Sequence, residues 1–183
     1  MTAPLRLALT HAGIYVRDLA KMTRFYTEIM NLHISDRGHG FSMPVNIVFL
    51  TADPTKHHQF VLAEGRGDEG PSTINQLSFK IDTLDQLRTM YHRVKAENVG
   101  QLRGINHGNA WSVYFHDPEG NTIEIYMDTP WYISQPHGDT LDFSLSNEEI
   151  FKQSEAMCRK DARFMPVREW ENKMRADLGL VSG

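Results

Sequence analysis

Two short strand-like runs, LTHAGIYVR at Leu9–Arg17 and INQLSFKID at Ile74–Asp82, lie 65 residues apart. At that offset Ile14 falls on Phe79, Val16 on Ile81, Leu19 on Leu84 and Tyr26 on Tyr91, while His11 falls on Gln76. A helical period follows each run. Leu19, Met22, Phe25, Tyr26, Ile29 and Met30 recur at spacings of three and four behind Asp18, a good N-cap. Leu84, Leu87, Met90, Tyr91 and Val94 do the same behind Thr83 or Asp82. Three strand-like runs then follow in each copy. They are His33–Asp36, Asn46–Thr51 and His58–Ala63 in the first, and Gly100–Arg103, Ala110–His116 and Thr122–Met127 in the second. The turn residues Asp117-Pro118-Glu119-Gly120-Asn121 join the last two as a hairpin.

The pattern is therefore βαβββ, twice, with a linker rich in Gly, Asp and Pro at Glu64–Thr73. One copy alone exposes a sheet face, and two can bury those faces and enclose a cavity. The expected fold class is α+β: paired βαβββ modules, about 7–64 and 73–128, forming an open barrel within a domain over residues 1–133. Residues 134–183 form an extension. Thr129–Leu145 has no clear period, and Ser146-x-x-Glu149 then reads as a capping box opening a helix to about Lys160. A second helix follows Pro166 with Trp170, Met174 and Leu178 as its stripe. The extension is expected to cover the barrel or a partner subunit.

Composition narrows the class. A chain of 183 residues with 40% hydrophobic and 23% charged residues has the make-up of one ordinary globular domain. A net charge of −4 without a Lys/Arg run argues against a nucleic-acid partner. No apolar stretch approaches the roughly 18 residues that span a membrane. The first residues, MTAPLRLALTHAG, lack a signal-peptide pattern, and a single cysteine, Cys158, excludes an internal disulfide. A cytoplasmic protein is expected, with a homo-oligomer left open.

Chemistry concentrates at a few positions. His11 sits in the first strand among Leu9, Gly13 and Tyr15. Glu124 lies between Ile123 and Ile125 in the last strand, so it faces either solvent or a polar cavity, and the pattern leaves both open. His57 and His58 open the run HHQFVLA; as strand neighbours they would point opposite ways, so only one would enter a cavity. His107 lies in the loop INHGNA and Tyr114 in the strand WSVYFHD. Taken singly, each is more often structural than functional; their joint occurrence in a duplicated fold points to a site.

The runs THAGIYVRDLAKMTRFYTEIMNL and NAWSVYFHDPEGNTIEIY resemble the vicinal oxygen chelate superfamily of glyoxalases, antibiotic-resistance binding proteins and type I extradiol ring-cleaving dioxygenases. They are most similar to the single-domain dioxygenases, over about residues 7–133, and the tail through Asp139 and Leu141 is similar too. The DPxGNxIE hairpin is shared by the whole superfamily, so it speaks for fold more than for reaction. The resemblance implies that His11 and Glu124 are ligands of Fe(II), with Mn, Ni or Zn as other divalent ions. It further implies that His58 is an acid–base histidine, that His107 hydrogen-bonds near the substrate, and that Tyr114 binds a substrate oxygen. Two imidazoles and a carboxylate leave positions for the adjacent oxygens of a catechol and for O₂. The implied reaction is cleavage of an aromatic ring beside its hydroxyls.

Gln76 departs from that pattern, because the second module should carry the remaining histidine ligand. Three readings stay open: Gln76 is a weak ligand in an oxygenase, His57 or His58 completes the set with Gln76 behind it, or the chain binds a small molecule without catalysis. A glyoxalase-like lyase or isomerase is a further alternative, in which Gln59, opposite Glu124 under the 65-residue shift, would be a ligand. Trp111, Phe60, Met43 and Trp131 are expected to line an apolar pocket.

Overall fold

The computed structural model describes residues 6–41, 43–68, 70 and 72–180. The chain divides into two compact units. The first runs to Thr73 and takes in Asp117–Gly120, and the second comprises Ile74–His116 and the residues from Asn121 onward.

In the first unit, β1 (Ala12–Val16) leads into α1 (Leu19–Arg24), followed by β2 (His33–His39), β3 (Asn46–Thr51) and β4 (Phe60–Glu64). The Asp18 carboxylate caps α1 by accepting from the Lys21 N–H at 2.8 Å. Past Arg24 the helix widens into a π turn over Phe25–Ile29. Its Phe25 and Tyr26 join Ile14, Val16, Met22, Leu50, Phe60 and Leu62 in the core. The sheet order is β1-β4-β3-β2, with β1 parallel to β4 and the other pairs antiparallel.

The second unit repeats this plan. β5 (Leu77–Lys80) and α2 (Leu84–Ala96) precede β6 (Arg103–Asn106), β7 (Ala110–His116) and β8 (Thr122–Asp128). Strand order β5-β8-β7-β6, with β5 parallel to β8, matches the first unit. Thr83 and Gln86 form a reciprocal capping box at the start of α2. The duplication inferred from the offset pattern is thus present in the topology.

The structure shifts several of the expected boundaries. β2 runs on to His39, and β6 begins at Arg103 instead of Gly100, because Asn98 and Gln101 hold left-handed turns with φ of 51° and 59°. β4 begins at Phe60, so His57 and His58 precede the strand and its alternation does not govern them. The 65-residue offset slips before the last strand: Ala12 pairs with Phe60 and Leu77 with Ile123. Val61, beside Gly13, is therefore the counterpart of Glu124, beside Ser78, and Gln59 is not. The Gln59 amide oxygen instead accepts from the Ala52 N–H at 3.0 Å, closing the β3–β4 turn.

The residues after Asp128 belong to the second unit. β9 (Trp131–Tyr132), β10 (Asp139–Thr140), α3 (Asn147–Cys158), β11 (Met165–Pro166) and α4 (Val167–Asp177) follow in order. β10 extends the five-stranded sheet beyond β6. On α3, Ile150, Ser154 and Cys158 are buried at a spacing of four. The Ser154 hydroxyl accepts from Asn106 Nδ2 at 2.9 Å and Trp111 Nε1 at 2.8 Å. Arg88 of α2 donates to the carbonyls of Phe143 and Leu145, holding the approach to α3. α4 buries no residue, and its Trp170 stacks on Tyr132 at 5.5 Å. No helix among the described residues is long and apolar enough to cross a membrane.

Candidate functional site

Strand alternation gives the second sheet two unlike faces. Trp111, Val113 and Phe115 of β7 and Ile123 and Ile125 of β8 enter the core. The intervening positions, Ser112 and Tyr114 on β7 and Glu124, Tyr126 and Asp128 on β8, are polar, and Ser78 and Lys80 of β5 continue the pattern. Cross-strand register sets Tyr114 opposite Glu124 and Ser78 beside it.

Glu124 is the hub of this face and only 7% exposed. Its Oε1 accepts from the Ser112 hydroxyl at 2.8 Å and the Tyr114 hydroxyl at 2.5 Å. Its Oε2 accepts from the Ser78 hydroxyl at 2.5 Å and from Gln76 Nε2 at 2.8 Å. The same Gln76 nitrogen also donates to Ser78 Oγ at 3.0 Å. The sharper of the two sequence readings of Glu124 holds: it faces a polar cavity. Ser78 and Ser112 were missed as site residues; the signal for them was the small polar residue recurring at alternate positions on the Glu124 face.

Tyr114 links Glu124 to His107. Burial, then the hydrogen bond to Glu124, pushes the Tyr114 hydroxyl well above its ordinary range, so it stays a phenol at neutral pH. His107 Nε2 lies 3.0 Å from that oxygen and 3.9 Å from the carboxylate. His107 Nδ1 lies 2.7 Å from the carbonyl of His137. A carbonyl only accepts, so Nδ1 carries a proton. The Tyr114 hydroxyl gives its one proton to Glu124 and keeps its oxygen beside His107 Nε2, and the three groups form a short path along which a proton can move. Gly108 allows the turn after His107: its φ is +78°, and a Cβ there would lie 2.2 Å from Ile133 Cδ1. Beside these groups lies a cavity of about 320 Å³ that reaches Ser78, His107, Glu124 and Tyr126.

The apolar pocket expected from the sequence is not formed by the residues named for it. Trp111 and Trp131 are core residues, with their indole N–H groups on Ser154 Oγ and the Gly108 carbonyl. Phe60 is also core, packed on Tyr26. Met43 is partly exposed and accepts from the Tyr15 hydroxyl.

The first unit brings together three histidines. His11 is exposed, immediately before β1, as Gln76 is immediately before β5. Its ring lies 4.5 Å from that of His58. His57 and His58 do not diverge as strand neighbours would; their Nδ1 atoms are 2.9 Å apart. His57 Nε2 is also 3.8 Å from an Asp36 carboxylate oxygen. Partial burial, then the neighbouring His11 and His57, lowers the proton affinity of His58, which favours its neutral form.

The donors suit a divalent cation. Glu124 is a buried anion whose four hydrogen-bond donors are all neutral, and it forms no ion pair with a lysine or arginine among the described residues. Burying a charge without a counter-charge is costly, and a cation removes that cost. A carboxylate and an amide oxygen are acceptable donors for such ions. As placed, Gln76 turns its amide nitrogen to Glu124, and a half-turn of the amide presents the oxygen instead. No group of three His, Cys, Asp or Glu side chains is gathered to hold a metal among the described residues.

The chain is similar to known proteins in sequence and in fold. Biphenyl-2,3-diol 1,2-dioxygenase 2 of Rhodococcus globerulus is 26% identical over 159 residues, covering 78% of this chain and 80% of the relative. Biphenyl-2,3-diol 1,2-dioxygenase 3 of the same organism is 28% identical over 134 residues, 70% of this chain and 66% of the relative. Among solved structures, a glyoxylase/bleomycin resistance protein/dioxygenase domain from Frankia sp. EAN1pec shares the fold with a TM-score of 0.58 and 20% identity, over 73% of this chain and 96% of that one. The fosfomycin resistance protein FosX from Listeria monocytogenes, in a complex with Mn(II), shares it with a TM-score of 0.54 and 21% identity, over 68% of this chain and 95% of that one. Residues 8–125 match a family-wide sequence pattern, and with the repeated βαβββ topology this makes the chain a member of the Glyoxalase/Bleomycin resistance protein/Dioxygenase superfamily.

Proposed function

We propose that this protein is a metal-dependent extradiol-type dioxygenase that opens a catecholic ring with O₂. The observation that carries the reading is the buried Glu124–Tyr114–His107 chain beside a cavity. A plain scaffold has no need of a carboxylate saturated by neutral donors and coupled through a phenol to an imidazole. Sequence similarity to two biphenyl-diol dioxygenases supports the reaction class.

The proposed metal ligands are His11, Gln76 and Glu124, and the proposed ion is Fe(II). Bound iron supplies the redox path between an electron-rich ring and O₂. The remaining work falls to the chain. Tyr114 turns its single hydroxyl proton from Glu124 to a bound catechol oxygen and stabilises charge that develops there. His107 Nε2 takes up or returns a proton through the Tyr114 hydroxyl, while the His137 carbonyl fixes its tautomer. His58, whose proton affinity is lowered by partial burial and then by His11 and His57, is the proposed acid–base histidine. Ser112 and Ser78 hold the Glu124 carboxylate in a single orientation.

Oxygen uptake and the yellow product of ring opening, measured with a panel of catechols on Fe(II)-loaded protein, test the proposal. Uptake with at least one catechol, lost in Glu124→Ala, is the expected result. No uptake and no yellow product across the panel would overturn it.

A further inference from the structure

The cavity beside Glu124 has a wall of mixed polarity. Binding sites for aromatic ligands are lined mostly by apolar side chains with a few polar groups. Here Ala110 and the rings of Tyr126 and His107 share the wall with the polar groups of Ser78, Asn109, Glu124, Asp128 and Gln135, and no large aliphatic side chain lines it. Strand alternation explains this: the residues that could have supplied an apolar wall, Trp111 and Val113 on β7 and Ile123 and Ile125 on β8, point the other way and fill the core.

Some of these polar groups are already paired. Gln135 donates to the His107 carbonyl at 2.7 Å and to Asn109 Oδ1 at 3.1 Å, and accepts from the His137 N–H at 3.1 Å. Lys80 and Asp128 form an ion pair with each other, and both are 54% exposed. Two groups are left over. The Asn109 amide nitrogen and the Tyr126 hydroxyl make no hydrogen bond to another described residue. Both are partly buried and both belong to the cavity wall. An apolar ring substituent laid against them would strip their water and return nothing. An acceptor oxygen would complete them. No lysine or arginine lines the cavity among the described residues, so a negatively charged substituent would find no ion-pair partner in the wall.

We propose that the substrate class of this site is a catechol bearing an uncharged substituent with an acceptor oxygen, such as a carboxamide or a hydroxyl, read by Asn109 and Tyr126. This inference rests on the ring-cleaving reading of the site. It separates the chain from what the names of its dioxygenase relatives suggest, since the substituent of a biphenyl diol is an aryl ring without an acceptor oxygen.

The test is equilibrium binding of two matched ligands, 3,4-dihydroxybenzamide and 4-phenylcatechol, to Fe(II)-loaded protein under nitrogen, followed by calorimetry. The expected result is about tenfold or more tighter binding of the benzamide, with that preference cut at least about threefold in Tyr126→Phe and in Asn109→Leu. Equal or tighter binding of 4-phenylcatechol, binding of neither ligand, or a preference unchanged in both variants would overturn the inference. Oxygen uptake on the same preparations reads the reaction separately. The expected binding order without uptake upholds the ligand class and removes the dioxygenase assignment. Uptake with the phenyl compound preferred does the reverse.

Discussion

Gln76 donates its side-chain amide to the Glu124 carboxylate at 2.8 Å, from the position immediately before β5 that His11 occupies before β1. The repeat thus keeps a polar residue at equivalent points in both modules and changes its donor strength. An amide oxygen is a weaker ligand than an imidazole nitrogen for Fe(II) and its neighbours in the transition series.

Gln76→His should therefore raise affinity for Fe(II) by about tenfold or more, equivalent to about 1.4 kcal/mol. Competition with a chelator of known affinity, under nitrogen, measures it, and Mn(II) serves as an oxygen-stable check. Unchanged or weaker binding would remove Gln76 from the ligand set and leave it as a donor that orients Glu124.

How far the site was legible follows from the same residues. The echo of LTHAGIYVR in INQLSFKID exposed the duplication, since strand and helix periods are local properties that survive divergence. Glu124 between two isoleucines signalled an odd position but not its direction, because alternation fixes relative faces and not which face is core. The pairing of β5 with β8 decides that, and it is a contact between residues 46 apart, Ser78 and Glu124. The mistaken match of Gln59 to Glu124 came from a fixed offset carried across a slip in register. The histidines at 57 and 58 were misread because β4 starts two residues later, where backbone pairing with β3 begins at Phe60. In each case the missing information was a long-range hydrogen-bond partner.

Tyr114→Phe removes the phenol that joins Glu124 to His107. Loss of a hydrogen-bond donor aimed at developing charge typically lowers kcat about 10²-fold or more. The expected outcome is a fall of that order in kcat for ring cleavage, with a smaller change in KM. Stability should drop by about 1–3 kcal/mol, because the buried carboxylate loses one of four donors. Urea unfolding gives the second number. A kcat within about threefold of the parent protein would exclude Tyr114 from the chemistry.

Ser146 and Glu149 cap α3 reciprocally. The Ser146 hydroxyl accepts from the Glu149 N–H at 3.2 Å, and the Ser146 N–H donates to Glu149 Oε2 at 2.8 Å. Ser146→Ala should cost about 1 kcal/mol, or about 2–4 °C in Tm. The bond from the Ser146 hydroxyl, then that from its backbone N–H, holds the Glu149 carboxyl below its ordinary range. A lowered carboxyl stabilises the fold above the ordinary carboxylate range, and that stabilisation is lost as pH falls through the lowered value. The Tm difference between parent and Ser146→Ala should accordingly narrow on acidification from pH 7 toward pH 3. A gap that is constant across that window would show that the carboxylate contributes nothing to the cap.

Tyr26 is fully buried on the π turn, and its hydroxyl donates to Asp117 Oδ2 at 3.0 Å. Desolvation first, and then the Asp117 charge and hydrogen bond, push its ionisation well above the ordinary tyrosine value. The unfolded chain releases this proton near pH 10, while the folded unit still holds it. The unfolded state then binds fewer protons, so stability is unaffected below that value and falls as pH rises beyond it. Tyr26→Phe should cost about 1–3 kcal/mol at pH 7, since buried Asp117 loses a donor. Above about pH 10 the variant lacks this source of alkaline weakening. Chemical denaturation at pH 7, 9, 10 and 10.5 should show the stability gap between the two proteins closing only at the last steps. A gap that stays constant to pH 10.5 would mean that Tyr26 ionises no differently in the folded and unfolded chains, and the buried Tyr26–Asp117 bond would lose its assigned role.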